Sequence, residues 1–371
     1  MSRRSPLHDV HTELGAAFTD FAGWSMPVRY ASDLAEHRAV RATAGVFDLS
    51  HMGELRVSGP GAGAALDGAL VGRPSGMAVG RAAYGMLTAE DGGVVDDLVT
   101  YRTGEEDFLV VANAANVDAV AAVLRERSAG HDARVTDETA ATALVAVQGP
   151  TSALAVGEVV ELADGSDLAD LRYYRCAPAR LRTAEGPLDV LLARTGYTGE
   201  DGFEVFVPAE RAVEAWSALL AAGRAHDAVP CGLACRDTLR LEAGMPLYGH
   251  ELTRGVDPYA ARLGRVVKLD KPDGFPGREA LERLAGAPPQ RLLVGLRGEG
   301  RRAPRQGYDV LAGDEVVGVV TSGALSPTLG HPVAMAYVDA ARSGVGTALA
   351  VDVRGRAEPV EVVELPFYRR P

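Results

Sequence analysis

Two features of the sequence together predict an α+β fold. Two stretches about 95 residues apart share one plan, in which a pair of β-like runs is followed by a helix. After about residue 285 the pattern changes to short β-rich runs separated by turns that contain Gly or Asp. We therefore expect two α+β layers, each an antiparallel sheet under helices, followed by a small C-terminal β-barrel.

Length, composition and charge narrow the class of protein. The 371 residues are 47% hydrophobic, with a mean hydropathy of +0.01, which is too apolar for disorder and predicts two or three domains. Acidic residues outnumber basic ones by 50 to 38, a net charge of −12, which disfavours an extended nucleic-acid surface. We find no apolar run of membrane length, no secretory signal pattern and only three cysteines, so we expect a cytoplasmic protein without a disulfide framework.

The first elements follow from capping and turn signals. Ser32 is a suitable N-cap for a helix over 33–45, and the alternating segment GELRVSG (53–59) predicts a strand. The segment GPGAGA (59–64) fits a dinucleotide-binding pattern, but a proline occupies its turn and no βαβ unit surrounds it. It therefore indicates a strand-to-helix turn.

The two hairpin–helix units are defined by their hydrophobic periods. The first has runs at 95–102 and 107–113 with a helix over 114–128; the second has runs at 188–195 and 203–208 with a helix over 209–222. In the second helix, the period of 3.6 residues points Val213, Trp216 and Leu220 inward.

Familiar catalytic and metal-binding motifs are missing from the sequence. It has no phosphate-binding loop, no H-E-x-x-H and no G-x-S-x-G. Cys231 and Cys235 in CGLAC have no companion ligands at metal-binding spacing, so they predict a buried structural pair. His51, in the turn DLSHMG, is the best-placed histidine, with a hydrogen-bonded structural role as its equal alternative.

Carboxylates stand where strands should be apolar. In VVDDLVTYR, alternation places Asp96 and Asp97 on opposite faces of a strand that is apolar on both, so at least one should be desolvated. Glu204 lies between apolar neighbours and on the face of Phe206. Such a carboxylate carries a desolvation cost unless a ligand or a protein donor meets it. A salt bridge or turn contact is the alternative to a functional role at each position.

Nine blocks in this order and spacing carry a resemblance to a known family: FAGWSMPVRY (21–30), GVFDLSHMGE (45–54), GGVVDDLVTYR (92–102), VVANAANVD (110–118), AVQGP (146–150), RTGYTGEDGFEVFVP (194–208), CGLACRDTLRLEAGMPLYGHEL (231–252), FPGREAL (275–281) and TSGALSPTLG (321–330). Nearly end to end, the chain resembles the aminomethyltransferases of the glycine cleavage system, the T-protein family. The resemblance implies a ring of three domains, two ferredoxin-like α+β folate-binding domains and a small β-barrel, with tetrahydrofolate in the central opening. We expect a folate-binding region over 1–284, with two interleaved α+β subdomains whose hairpin–helix units lie near 95–129 and 188–223, and the barrel over 285–371.

The resemblance also implies the reaction. The family transfers the one-carbon unit of an aminomethyl group, carried on the dihydrolipoyl arm of the H-protein, to tetrahydrofolate. The products are 5,10-methylenetetrahydrofolate, ammonia and the dihydrolipoyl H-protein. Tetrahydrofolate is the co-substrate, and no metal, flavin or nicotinamide is implied, since the folate performs the carbon chemistry. We expect a monomer that works with the lipoylated H-protein and involves neither nucleic acid nor membrane.

The family's functional positions carry over residue by residue. Asp97 would be the catalytic residue, orienting the folate amine, stabilising iminium charge and helping to remove a proton. Glu204 would clamp the pterin edge, because an ionised carboxylate offers two acceptors to two neighbouring donors. Arg236 matches a position linked to folate binding. The further positions expected near the pocket are Tyr84, Val111, Asn113, Tyr197, Met52 and Tyr101, of which Met52 and Tyr101 suit an apolar wall or ordinary core packing equally.

The sequence departs from the family pattern at two places and leaves three alternative functions open. The chain ends in PFYRRP, so the role of a family tyrosine-bearing tail is not transferred to Tyr368 or Arg369, and Arg265 stands where some relatives have an aromatic residue.

Folate-dependent oxidases of methylated glycines need a flavin unit for which the chain has no room, whereas a demethylase of a methylated sulfur compound shares the scaffold. A non-catalytic folate-binding protein for iron–sulfur assembly would carry K-G-C-[YF]-x-G-Q-E, where this chain has RTGYTGEDG.

Overall fold

The computed structural model describes residues 2–272 and 274–370 of the chain. The chain folds into two compact units. The first unit comprises Met1–Ala69, Arg73–Tyr84 and Leu98–Arg236, and the second comprises Leu70–Gly72, Gly85–Asp97 and Asp237–Pro371. Across the described ranges, no helix is both long and apolar enough to span a membrane.

The strands are, in chain order, β1 (Arg3–Arg4), β2 (Ala17–Phe21), β3 (Trp24–Arg29), β4 (Gly45–Asp48), β5 (Gly53–Ser58), β6 (Ala82–Thr88), β7 (Val94–Arg102), β8 (Asp107–Ala112), β9 (Arg134–Asp137), β10 (Thr142–Gln148), β11 (Val160–Leu162), β12 (Cys176–Thr183), β13 (Gly186–Ala193), β14 (Gly202–Pro208), β15 (Val229–Cys231), β16 (Arg291–Gly298), β17 (Asp309–Ala312), β18 (Glu315–Leu325), β19 (Pro332–Asp339), β20 (Ala348–Asp352) and β21 (Ala357–Val363). The α-helices are α1 (His8–Glu13), α2 (Asp33–Ala42), α3 (Ala62–Ala69), α4 (Val117–Ser128), α5 (Ser152–Val159), α6 (Ala212–Arg224), α7 (Leu233–Glu242) and α8 (Arg278–Ala285). Short 3-10 turns cover Pro74–Gly76, Leu168–Asp170, Ala209–Arg211, Gly264–Val266 and Ala340–Arg342.

A seven-stranded sheet forms the centre of the first unit, in the order β11-β12-β13-β14-β10-β4-β15. Residues on one face of its strands pack with α5 and α6 into a large apolar core that includes Val145, Val205, Trp216 and Leu219. The opposite face of β14 carries Glu204 and Phe206, in register with Ala146 and Leu144 of β10. The alternation of strand side chains thus holds Glu204 away from the apolar core.

A second sheet has the order β6-β7-β8-β5-β9. A side chain at Gly53 of β5 would collide with Val117 of α4, so the face that carries Gly53 and Leu55 is the one covered by helix. Val111 of β8 pairs with Glu54 of β5 and Val99 of β7, on the opposite face. The alternation of β7 places Tyr101 on that face too.

The second unit contains a closed six-stranded barrel in the order β16-β19-β18-β17-β20-β21. Its interior is filled by small and branched side chains, among them Val294, Val310, Ala336 and Val351. A register shift in β18 between Val320 and Ser322 is of the kind that lets a strand bend as a sheet closes. The β-rich runs after residue 285 therefore form the predicted barrel, and the predicted α+β class is confirmed.

Several local predictions can be compared with the structure. Ser32 caps α2, with its hydroxyl accepting from the amide of Ala35, and GPGAGA is the turn from β5 into α3. Cys231 and Cys235 are buried free thiols. The prediction for Val213 is wrong: it is 46% exposed, because α6 turns its neighbours Ala212, Ala215, Trp216 and Leu219 into the core instead.

Candidate functional site

Glu204 lies near the middle of β14 in the first unit and is half-buried. One of its carboxylate oxygens, Oε2, accepts hydrogen bonds from two hydroxyls, those of Thr195 and Tyr101, the latter at 3.1 Å. The two hydroxyl oxygens are themselves 3.0 Å apart. Among the described residues, no donor is recorded within hydrogen-bond distance of the other oxygen, Oε1. The protein thus fixes the orientation of Glu204 through Oε2, while Oε1 accepts no hydrogen bond from the described residues.

Tyr101 is almost fully buried, and its ring packs edge-on against Phe206, with centroids 5.5 Å apart. Burial raises the pKa of its phenol well above the usual range, and the nearby charge of Glu204 raises it further. Tyr101 therefore remains a neutral hydroxyl that donates its proton. The sequence suggested an apolar wall or core packing for this residue, whereas the structure also gives it a hydrogen bond to Glu204.

The loop from Arg194 to Asp201 is held by polar contacts at both ends. Arg194 pairs with Asp201 across its base, with Nη2 and Oδ2 2.6 Å apart. Arg41 of α2 pairs with Glu200 at 2.8 Å and donates to the carbonyl of Thr198 at 2.7 Å. These contacts fix the backbone that carries Thr195 and Tyr197.

Gln148, at the end of β10, lies beneath this loop and is fully buried. Its Nε2 donates to the carbonyl of Thr195 at 3.0 Å, and its Oε1 accepts from the hydroxyl of Thr198 at 2.9 Å. A side chain at Gly196 or Gly202 would collide with the Gln148 amide. The glycines of GYTGEDG therefore make room for an amide that holds the loop.

Arg236, in α7, places its guanidinium carbon 4.8 Å from the centroid of the Tyr197 ring, a cation–π geometry. Its Nη1 is buried and has no hydrogen-bond partner in residues 2–272 and 274–370. Burial lowers the pKa of Arg236, and the negative charge of Glu204 acts against that shift. A buried donor without an acceptor costs about 1–3 kcal/mol, so this group suits a ligand that brings an acceptor.

The turn between β4 and β5 carries a further polar group of the first unit, the imidazole of His51. His51 is buried, and its Nδ1 has no partner among the described residues. Its pKa is lowered to about 4, mainly by burial and also by Arg236, against the opposing charge of Asp48. A neutral imidazole at physiological pH follows from this, and no described residue makes at Nδ1 the hydrogen bond that the structural alternative would use.

The remaining predicted positions of the first unit lie on the second sheet or next to it. Val111 is buried in β8, Asn113 follows that strand, Tyr84 lies in β6, and Met52 is the half-buried residue just before β5. The structure therefore groups Tyr101 with Glu204 and Tyr197 with Arg236, and the roles of the other four stay predictions.

Asp97 belongs to the second unit and is half-buried, while its neighbour Asp96 is fully buried. This confirms that at least one of the pair is withdrawn from water. Both act on Tyr248 of the same unit, whose phenol pKa is raised by burial first and then by Asp96 and Asp97, against the opposing charge of Arg254. The catalytic role of Asp97 stays a prediction.

Sequence reasoning missed Thr195 and Gln148, which position Glu204 and its loop. Each residue has a signal in the sequence. Thr195 lies at the start of a turn that contains two glycines, and Gln148 is a polar residue that directly follows the apolar run TALVAV. Neither signal identifies a partner, since Gln148 and Thr195 are 47 residues apart along the chain.

Comparisons with known proteins identify the family to which the chain belongs. Residues 7–271 match the family model described as the GCVT N-terminal domain, and residues 291–369 match the glycine cleavage T-protein C-terminal barrel domain. The chain belongs to the T-protein family of aminomethyltransferases. It is 58% identical to the aminomethyltransferase of Cutibacterium acnes, with 99% of each chain covered, and 56% identical to that of Streptomyces avermitilis, with 100% of each covered. The crystal structure of glycine cleavage system aminomethyltransferase T from Bartonella henselae matches with a TM-score of 0.90 at 35% identity, covering 100% of this chain and 99% of that one.

The family fixes the class of reaction. The protein is a one-carbon transferase of the glycine cleavage system that uses tetrahydrofolate as its co-substrate. It converts the aminomethyl-dihydrolipoyl group and tetrahydrofolate into 5,10-methylenetetrahydrofolate, ammonia and the dihydrolipoyl group. The buried Arg236 Nη1 and the open Oε1 of Glu204 fit a ligand that presents both donors and acceptors, as a reduced pterin does.

Proposed function

We propose that Glu204 and Arg236 bind the pterin of tetrahydrofolate during glycine cleavage. The observation that supports this is a buried cation, Arg236, whose Nη1 has no acceptor among the described residues and whose charge interacts with that of Glu204. Oε1 of Glu204 likewise has no donor among those residues. Oε1 of Glu204 would accept from the pterin edge, and Arg236 would donate to a pterin or glutamate oxygen. Charge-assisted hydrogen bonds of this kind are about twice as strong as neutral ones.

The surrounding residues would shape the pocket rather than perform chemistry. Tyr197 holds Arg236 through its ring face. Val111 and Met52 would line the apolar faces of the pterin, and Tyr84 and Asn113 would contact its polar edge. These four assignments rest on the family resemblance.

Asp97 would be the catalytic residue. An ionised carboxylate beside the reacting folate nitrogens can orient the amine, stabilise positive charge on the one-carbon unit and accept a proton as the carbon–nitrogen bond forms. The partial burial of Asp97 suits such a group because a carboxylate with less water around it interacts more strongly with a developing cation.

The partner and state of the enzyme complete the proposal. The aminomethyl group would arrive on the lipoyl arm of an H-protein, and the enzyme would act as a cytoplasmic monomer. We also propose that residues 1–284 form the folate-binding region and that residues 285–371 form the barrel domain. Sedimentation with and without lipoylated H-protein tests the assembly, and limited proteolysis near residues 285–290 tests the boundary.

Binding is the first test. Glu204→Ala should weaken tetrahydrofolate binding by about 1.5–3 kcal/mol, because one charged hydrogen-bonding partner is lost. Titration of tetrahydrofolate against the intrinsic fluorescence of the two tryptophans measures the Kd. Glu210→Ala, an exposed glutamate two residues beyond the same strand, is the matched control. An unchanged Kd in Glu204→Ala would remove Glu204 from the folate site.

Turnover is the second test. With tetrahydrofolate and aminomethyl-loaded H-protein, the wild-type protein should release ammonia. Asp97→Asn keeps the size of the side chain but removes its charge, so it should still bind folate and lose about 10²–10⁴-fold in turnover. Normal turnover in the asparagine variant would show that Asp97 has a structural role only.

A further inference from the structure

Three side chains of types that bind metals meet in the first unit, where β15 leads into α7. Cys231 ends β15, Cys235 lies in the first turn of α7, and Glu36 comes from α2, 195 positions before Cys231. All three side chains are buried. Their two sulfur atoms and a carboxylate oxygen lie within 4.8 Å of one another. Within residues 2–272 and 274–370, no other set of three His, Cys, Asp or Glu side chains is grouped in this way.

The distances between these atoms suit a small cation. Because the three atoms lie within 4.8 Å of one another, one point lies within about 2.8 Å of all three, which is 4.8 Å divided by the square root of three. Zn²⁺ binds cysteine sulfur at about 2.3 Å and carboxylate oxygen at about 2.0–2.2 Å. Each ligand would therefore have to move inward by less than about 1 Å.

Glu36 is a buried carboxylate whose recorded partners are all backbone amides. Its Oε1 accepts from Tyr30 at 2.8 Å and from Ala31 at 3.1 Å, and its Oε2 accepts from Gly232 at 2.9 Å, which leaves Oε2 a lone pair. No Lys, Arg or His side chain is recorded as a donor to Glu36 in the described chain. A buried charge is normally paired with an opposite charge or bound to a metal. The three amides thus hold Glu36 in one orientation, and a cation would supply its missing partner.

The two thiols are held only by weak hydrogen bonds. Sγ of Cys231 donates to the carbonyl of Val229 at 3.5 Å, and Sγ of Cys235 donates to the carbonyl of Gly232 at 3.3 Å. Thiols are weak donors, so these bonds can be given up at little cost. Burial raises the pKa of the Cys231 thiol well above its usual range. Its proton therefore stays on the sulfur unless a cation takes its place.

We propose that Glu36, Cys231 and Cys235 bind a structural Zn²⁺ ion. Binding breaks two S–H bonds, forms two Zn–S bonds and one Zn–O bond, and releases two protons to water, with no oxidation or reduction. The carbonyl oxygen of Gly232, which lies beside the sulfur of Cys235, is available as the fourth ligand of a tetrahedral ion. The site lies outside the proposed tetrahydrofolate chemistry and does not depend on it.

The charge and place of the ion agree with its surroundings. Two thiolates and one carboxylate carry one more negative charge than Zn²⁺ neutralises, and the guanidinium of Arg236, whose charge interacts with Cys235, offsets the excess. The ion ties α2 and β15 to the first turn of α7, which carries Arg236. Because its ligands are closed off from water, the ion enters as the chain folds.

Cobalt tests the site, because thiolate bonds to Co²⁺ give an intense charge-transfer band in the near ultraviolet. The full-length chain is produced in cells supplied with Co²⁺ in place of Zn²⁺ and is purified under reducing conditions. The wild type should carry about one ion per chain and show the band. Cys235→Ala should carry at least about 10-fold less metal and lose the band. Cys176→Ser, at another buried cysteine of the first unit, is the matched control and should keep both.

The carboxylate and the stability of the chain supply two further readouts. Glu36→Gln keeps both sulfur atoms, so it should retain the band but lose its metal to a chelator at least about 10-fold more readily than the wild type. An ion that binds only the folded ligands stabilises the fold. The wild type loaded with Zn²⁺ should therefore unfold at a higher urea concentration than the wild type produced without it, and Cys235→Ala should show no such difference.

Two results would overturn the proposal. One is wild-type protein that is purified without bound metal and without the thiolate band. The other is Cys235→Ala that holds as much metal as Cys176→Ser. If Cys235→Ala does not fold by circular dichroism, Cys231→Ser, which keeps the size of the side chain, makes the same comparison.

Discussion

Asp48 and Glu54 lie at the two ends of one buried turn, and their surroundings differ completely. Asp48 closes β4 and is 2% exposed; Glu54 opens β5 after Gly53 and is 0% exposed. Oδ2 of Asp48 accepts from the Ser5 hydroxyl at 2.6 Å and lies 2.9 Å from Nε2 of His11, while Oδ1 accepts from the amide of Ser50 at 2.9 Å. Neither carboxyl oxygen of Glu54 has a partner in the described residues.

The charged groups around Glu54 make the contrast sharper. Asp48 from β4, Asp137 at the end of β9 and Glu138 just beyond it all face Glu54 with negative charge. The cation on its own strand, Arg56, is paired with Glu138 at 2.8 Å. Burial first, and then these acids, raise the pKa of Glu54 well above its usual value.

Burial alone therefore does not decide the charge of a carboxyl group in this protein. Burial also acts to raise the pKa of Asp48, but the hydrogen bond and charge of His11, with the bonds from Ser5 and Ser50, outweigh it and the pKa is lowered. Asp48 is a charge that the fold stabilises, whereas Glu54 is an acid that the fold keeps protonated.

The two groups must give opposite pH dependences. Asp48 has a folded pKa below its unfolded value, so its contribution to stability is present above about pH 3.8 and is lost as the pH falls through the folded pKa. Glu54 has a folded pKa above its unfolded value, so stability decreases as the pH rises from about 4.5 towards that pKa.

Asp48→Ala should have the largest effect, a loss of about 3–5 kcal/mol in the free energy of unfolding at pH 7. Removing this buried carboxylate leaves His11, Ser5 and the Ser50 amide without their acceptor, and each buried group left without its hydrogen bond costs about 1–3 kcal/mol. Urea unfolding followed by circular dichroism measures the change. Asp309→Ala, at an exposed strand position, is the control, and an equally small change in both variants would contradict the assigned pairing.

Glu54→Gln should act in the opposite direction and stabilise the protein by about 1–3 kcal/mol at pH 7. Glutamine has nearly the same shape and cannot ionise, so the variant avoids the cost of keeping a buried acid protonated above pH 4.5. The stability difference from the wild type should increase with pH between about 5 and 8. Glu126→Gln, at an exposed position of α4, should give no such slope, and a flat difference for Glu54→Gln would mean that its carboxyl group is ionised.

These contrasts also show how much of the structure can be predicted from the sequence. Alternation within single strands correctly placed Glu204 with Phe206 and predicted that an aspartate of the pair Asp96 and Asp97 is buried, because period-two geometry is a local property. The family motifs identified the reaction. The support of Glu204 could not be predicted, since Thr195 and Tyr101 are 94 residues apart and only the folded sheets bring them together.

The wrong prediction for Val213 and the unpredicted burial of Glu54 have the same physical origin. Val213 has the spacing of a buried residue, but the side of α6 that faces the sheet is set by where Trp216 and Leu219 fit. GELRVSG predicts a strand, but it does not indicate that Glu54 is buried. Its burial depends on residues 137–139, more than 80 positions later in the chain, whose backbone and hydroxyl groups bond to it. Local period predicts an element, and long-range packing decides which of its faces is covered.

Ser5→Ala should have the smallest effect, a loss of about 1 kcal/mol at pH 7. It removes one of the hydrogen bonds to Asp48 and leaves those of His11 and Ser50, so the charge keeps most of its support. The loss should shrink below pH 3.8, as Asp48 becomes protonated in both the folded and unfolded states. Ser166→Ala is the control, because Ser166 makes the same serine–aspartate contact with Asp164 at 2.7 Å, with both residues exposed to water. The free energy of unfolding should be unchanged in Ser166→Ala. Equal losses in the two variants would mean that burial of the Ser5–Asp48 bond adds nothing to its strength.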